Sequence, residues 1–150
     1  MKRVKQLIVA VIIIMTCSIS FAINFNSIFD YPPFVSWVVE GNETQPINFT
    51  KGETTLMYFC ATAPCNISTF KIIIETTIMG VTVEVPLPYE GKYYLHNCEL
   101  PLESGDVLYV QLPIEILPSA PFISGTFTVK FMNENYTYIA GGSCSFNIYE

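Results

Sequence analysis

The chain has 150 residues, 51% of them hydrophobic, with seven basic and thirteen acidic side chains and a net charge of −6. That length suits one domain with one core. The acidic balance excludes non-specific nucleic-acid binding, which needs clustered cations along the phosphates, and it opposes binding to strongly anionic membranes until carboxylates protonate in an acidic compartment.

The chain opens with Lys2, Arg3 and Lys5, followed by an apolar run over residues 7–15 and the small residues Ser20 and Ala22 around Phe21. This pattern predicts a secretory signal, residues 1–22, that is cleaved away. A retained anchor is the competing reading, but nine apolar residues are short for a bilayer. Thr16 precedes Cys17 where a lipoprotein signal has a smaller residue, so Cys17 is expected to leave with the segment. The domain is then residues 23–150, with four lysines, no arginine and thirteen acids, a net −9.

Residues 34–40 form the first expected strand, entered through Tyr31, Pro32 and Pro33. Residues 41–45 and Lys51-Gly52 read as turns. Residues 54–60 place Thr55, Met57 and Phe59 on one face. Residues 70–77 are rich in Ile and Thr, and residues 81–87 put Val81, Val83, Val85 and Leu87 on one face against Thr82, Glu84 and Pro86. Pro86 and Pro88 remove backbone donors, so this strand is expected to run out into an edge. Further strands are expected over 106–112, 126–132, 136–139 and 143–149. Short β-branched and aromatic strands separated by turns, with no capped helical period, predict an all-β sandwich of two sheets.

Four cysteines follow the signal, Cys60, Cys65, Cys98 and Cys144, and in a secreted chain they allow three disulfide pairings. A local Cys60–Cys65 bridge across the ATAP turn is the simplest, leaving Cys98 with Cys144. In the loop-entropy model these are worth about 2 and about 4 kcal/mol. A zinc site competes poorly, because the spacing is not that of paired knuckles and His96 is the sole histidine. Asn42, Asn48, Asn66 and Asn135 each begin an Asn-x-Ser/Thr glycosylation sequon, although asparagine also favours turns for its own reasons.

No nucleophile elbow, phosphate cradle or metal cluster is present, and scattered acids give no specific glycosidase pair. An enzyme is not expected, nor any cofactor or metal.

Lys51-Gly52, Met79-Gly80, the Val-x-Val-x-Val-Pro-Leu-Pro run ending at Pro88, Asn97-Cys98, Leu112-Pro113-Ile114 and Cys144 stand in an order that resembles the ML domain. That lipid-recognition family includes the Niemann–Pick type C lysosomal sterol carrier and the phosphatidylglycerol/phosphatidylinositol transfer proteins. The resemblance covers roughly residues 51–148. It departs at Lys92, near where the sterol carrier has a cysteine, and in the lack of a cysteine between the signal and Cys60 to partner Cys144.

The resemblance implies an immunoglobulin-like β-sandwich with an apolar cavity between its sheets. It implies a secreted or endolysosomal monomer that carries a sterol or a phospholipid between membranes. Expected cavity walls are Met57, Phe59, Ile72, Ile74, Val83, Val85, Leu112, Phe127, Val129 and Phe131. The expected mouth is Val85, Leu87, Ile114, Ile116 and Phe122, with Val85 and Ile114 on neighbouring loops where oily strands meet Pro86 and Pro113. No lysine is an obvious phosphate partner. The alternative is an extracellular adhesion or protein-interaction domain without a lipid. The central Cys–Trp–Cys arrangement of a filled immunoglobulin core is missing, since Trp37 precedes all four cysteines of the domain.

Overall fold

The computed structural model of the protein describes residues 22–28, 30–85, 94, 95 and 98–150. The expected signal up to residue 21, Pro86, Leu87, Pro88, Lys92, His96 and Asn97 lie outside the described residues. Among the described residues nine strands are formed: β1 Ser36–Val39, β2 Ile47–Thr50, β3 Thr54–Thr62, β4 Phe70–Ile78, β5 Val81–Val85, β6 Tyr94–Leu95, β7 Val107–Glu115, β8 Ser124–Asn133 and β9 Tyr138–Tyr149. They make a four-stranded sheet, β1-β3-β7-β6, and a five-stranded sheet, β2-β9-β8-β4-β5. No helix among the described residues is long and apolar enough to cross a membrane.

Alternation sets the two inner faces, because successive side chains change side. Met57, Phe59 and Ala61 of β3 turn inward, as do Leu108, Val110 and Leu112 of β7, all buried. They meet Phe70, Ile72 and Ile74 of β4 and Phe127, Val129 and Phe131 of β8.

Three elements depart from the sequence-based expectation. β2 stands between the two expected turns, in a stretch given no strand; it is four residues long and pairs in parallel with β9, Ile47 opposite Phe146. β7 continues through Pro113 to Glu115, with Pro113 opposite Leu56. Proline is tolerated there because, among the described residues, β6 pairs with Gln111 and Val110 and no strand pairs with β7 on that side at Pro113, so no donor is needed. β9 is one twelve-residue strand, not two, running through Gly141 and Gly142. A Cβ on Gly141 would lie 2.6 Å from the Ile28 side chain, and one on Gly142 would lie 2.8 Å from Phe25. These glycines admit the N-terminal segment against the strand.

That segment, residues 22–28 and 30–35, closes one edge of the sandwich. It bridges Asn26 to Ser143 and Pro33 to Gly141 on β9. It also reaches β1 of the other sheet, where the Ile23 N–H donates to the Trp37 carbonyl at 2.8 Å. Beneath it lies an aromatic cluster. Phe34 sits 5.0 Å from both Phe59 and Phe131, Trp37 lies 5.0 Å from Phe59, and Phe59 lies 5.4 Å from Phe131, ring centre to ring centre.

Candidate functional site

The opposite edge has no such cover among the described residues. Among them β5 is the outer strand of its sheet, and β6 pairs with two positions of β7. Register places Val85 beside Ile74 and Val83 beside Thr76. Ile74 and Thr76 in turn sit beside Val129 and Phe127. Val81, Val83 and Val85 therefore belong to the inner, core-facing side, yet they are 64%, 56% and 37% exposed. Ordinary sandwich packing would bury that row. Here the inner face emerges at the edge as an apolar lip.

Across from it, Leu112 is buried, and Ile114 and Ile116 are half-buried against the core. The inward positions between β4, β5 and β7 are filled by Ile, Val, Leu and Phe together with the hydroxyl of Thr76. No ionisable side chain stands among the positions just named. The ion pair of this region, Lys130 to Glu75 at 2.7 Å, lies on the outer face of the five-stranded sheet. Such a wall accepts hydrocarbon and rejects unpaired charge.

Of the ten expected cavity walls, Met57, Phe59, Ile72, Ile74, Leu112, Phe127, Val129 and Phe131 are buried in one contiguous cluster, while Val83 and Val85 form the lip. Phe59 and Phe131 touch each other, so the sheets meet at that depth. Open apolar surface begins nearer β5.

The expected mouth is placed differently from its loop description. Val85 ends β5, opposite Ile74 in the middle of β4, and Ile114 lies within β7, opposite Thr55 near the start of β3. Neither residue is on a loop, because Pro113 does not end its strand. Ile114 and Ile116 stand at the end of the sandwich where the Gly52 N–H donates to the Ile116 carbonyl at 2.7 Å. Phe122, 58% exposed, lines a surface hollow of about 360 Å³ with Ile123, Ser124, Asn147, Ile148 and Tyr149. Ser124 and Asn147 point outward, so this hollow opens on the outer side of the sheet. Lys51 caps the Phe122 ring at 3.4 Å from its centre. At the same end Met79 tips the β4–β5 turn with φ of 50° and 98% exposure, and Leu117 is 60% exposed. Ile78 and Ile123, half-buried beside the core, were not singled out in the sequence, and Val81 was placed on the oily face but not among the site residues. Alternation alone puts Val81 in line with Val83.

All four cysteines of the domain are free thiols, so the expected Cys60–Cys65 and Cys98–Cys144 bridges are not formed. Their partners explain this. Cys60 sits opposite Tyr109 on the outer face of β3, and its hydrogen bond with Tyr109 raises that phenol above its usual value. Cys65 accepts from the Asn133 amide at 3.5 Å, on the other sheet. The Cys98 sulfur accepts from the Tyr109 N–H at 3.4 Å. Cys144 lies inside the sandwich opposite Phe127, and burial pushes its thiol up to about 12.

Of the sequon asparagines, Asn42 is engaged at both ends, accepting from the Asn48 N–H at 2.8 Å and donating to the Glu40 carbonyl at 3.3 Å. Asn48 accepts from Asn147 and Asn66 accepts from the Ser104 N–H. Asn135 is exposed at the turn between β8 and β9.

One buried polar atom stands apart. Trp37 is wholly buried, and its Nε1 is the one such side-chain atom without a hydrogen-bond partner among the described residues. Its ring touches Phe25, Phe34, Phe59 and Phe127.

The two-sheet sandwich has solved counterparts. A Niemann-Pick type C2 protein from the Japanese carpenter ant superposes with a TM-score of 0.74 at 14% identity, covering 84% of this chain and 99% of that one. The chain shares its fold. Chicken MD-1, solved in complex with lipid IVa, superposes with a TM-score of 0.55 at 17% identity, covering 82% of this chain and 87% of that one. No family model matches the sequence. No curated protein matches it either. The two-sheet architecture expected from the ML-domain resemblance is the one observed.

Proposed function

We propose that the protein is a non-enzymatic lipid carrier of the secretory or endolysosomal lumen, monomeric and without a cofactor. One observation carries the reading: the inner face of β5 is exposed at the edge of the sandwich, 56% at Val83, opposite a stretch of β7 that no strand among the described residues covers. The fold it shares with MD-1, which has been solved with lipid IVa, supports the same reading. An acyl chain or sterol slides between β5 and β7 and is held by burial alone. Each CH₂ taken from water returns about 0.8 kcal/mol, which offsets its withdrawal from a bilayer. The uncharged wall keeps a phosphatidylglycerol or phosphatidylinositol head group at the rim. A sterol fits it with less polar surface to place. Met79, Leu117 and Phe122 project together at one end and make the transient contact with the donor and acceptor membranes.

The alternative, an adhesion module with a filled core, is favoured by the direct contact of Phe59 with Phe131. Native mass spectrometry of protein purified from its own host separates the two. The carrier gives a lipid adduct that is lost on denaturation. Lipid-free protein that also fails to move sterol or phospholipid between vesicles contradicts it.

A further inference from the structure

We infer that the indole N–H of Trp37 is a hydrogen-bond donor to the buried end of the bound lipid, so that the preferred ligand carries an oxygen acceptor on the part that goes in first. The inference rests on the carrier reading and adds the chemical class of the ligand's leading end.

A wholly buried donor without a partner is rare and unfavourable in a folded protein. Trp37 could have been phenylalanine at no such cost, given that four phenylalanine rings surround it. Those rings offer at most a weak N–H···π contact. A ligand acceptor is the stronger partner, and the register shows a route for it. Val83, Thr76 and Phe127 lie in one row on adjacent strands, with exposure falling from 56% at Val83 to 4% at Phe127. Two strand spacings, about 10 Å, separate the lip from Phe127. The Phe127 ring then lies 6.2 Å from the Trp37 ring, looser than the 5.0 Å contact with Phe59. A ligand that enters past Val83 and pushes Phe127 aside ends at Trp37. The Thr76 hydroxyl, halfway along the row, gives a second polar point on the route.

A hydroxyl, ketone or ester carbonyl at the leading end accepts this proton; a plain methyl terminus leaves it orphaned. Each net hydrogen bond to a neutral acceptor is worth about tenfold in affinity.

Trp37 is the single tryptophan of the chain, so a ¹⁵N-labelled sample gives one indole cross-peak. Two matched pairs of probes, delivered from cyclodextrin to delipidated protein, read it: 1-hexadecanol against hexadecane, and cholesterol against cholestane. The expected result is a downfield move of the indole proton with the oxygenated member of at least one pair, and about tenfold tighter binding than its hydrocarbon. Trp37→Phe should erase that preference. An indole signal that stays in place while both members bind equally overturns the inference and assigns the N–H to the surrounding rings. If none of the four probes binds, the carrier reading fails and the inference falls with it. All these outcomes are read on the unmodified protein, so they stand even where Trp37→Phe fails to fold.

Discussion

The two edges of this sandwich differ in what fills them and in what covers them. At the β1–β9 edge, residues 22–28 and 30–35 strap across both sheets over Phe25, Phe34, Trp37, Phe59 and Phe131. At the β5–β7 edge the inward residues are Val and Ile with Leu112 and Thr76, and Val81, Val83 and Val85 are exposed. Aromatic rings packed at about 5 Å form a rigid, mutually held cluster. Small β-branched side chains along an exposed strand hold less. The two edges of one sandwich thus differ in how firmly they are packed.

The sharpest way to break this contrast is to truncate one residue on each side. Phe131→Ala, at the centre of the aromatic cluster, should cost about 3–5 kcal/mol in urea unfolding. Val83→Ala, already half in water, should cost well under 1 kcal/mol by the same measurement. Comparable losses would mean that the lip is packed in solution.

The strap can be tested without removing any contact. Gly142→Ala drives a Cβ to 2.8 Å from Phe25 and 3.3 Å from Phe34, and such overpacking should cost about 1–3 kcal/mol in thermal or urea melts. A neutral outcome would show that residues 22–35 shift easily and do not seal the edge.

Alternation made much of this legible in the sequence. β3, β4 and β8 are long and half-buried; period 2 alone gives Met57 and Phe59 of β3 and Phe127, Val129 and Phe131 of β8, whereas Ile72 and Ile74 of β4 came with the family resemblance. β2 was not legible, since four residues cannot display a period and its parallel partner lies about 100 residues away. Gly141-Gly142 read as a break because glycine usually weakens a strand. Only the approach of Phe25 and Ile28 explains them. For the site, an oily alternating strand says which face is inward but not whether that face is filled. Phe59 and Val85 looked alike in the sequence and differ entirely in exposure, 1% against 37%. The thiols were misjudged because even counts and a short loop say nothing of the partners that Tyr109 and Asn133 supply.

A smaller effect concerns pH. The Cys144 thiol, normally near 9, is held up to about 12 by burial, so its contribution to stability is complete below pH 9 and is lost as pH rises towards 12. Tyr31, raised to about 12 by burial and by the neighbouring Tyr138 and Glu75, acts in the same direction above pH 10. Cys144→Ala should flatten the alkaline limb of a stability–pH profile relative to the parent. An unchanged limb, or two fewer titratable thiols in the unfolded parent, would point to a Cys98–Cys144 bridge after all.

The smallest expected effect is at the surface. Asn135→Gln should remove one glycan from protein made in a glycosylating host, seen as a single mass step, with stability unchanged within about 0.5 kcal/mol. Loss of folding would show that the β8–β9 turn depends on Asn135 itself.

The central claim is that lipid lies between β5 and β7. Photo-crosslinking with a diazirine-bearing fatty acid, followed by peptide mapping, tests it most directly. Adducts on Thr76, Val83, Val85 and Ile114, abolished in a Val83→Asp, Val85→Asp double variant that still folds, are the result predicted here. Adducts confined to the outer faces around Tyr31 or Phe122, or undiminished in the folded double variant, would contradict it.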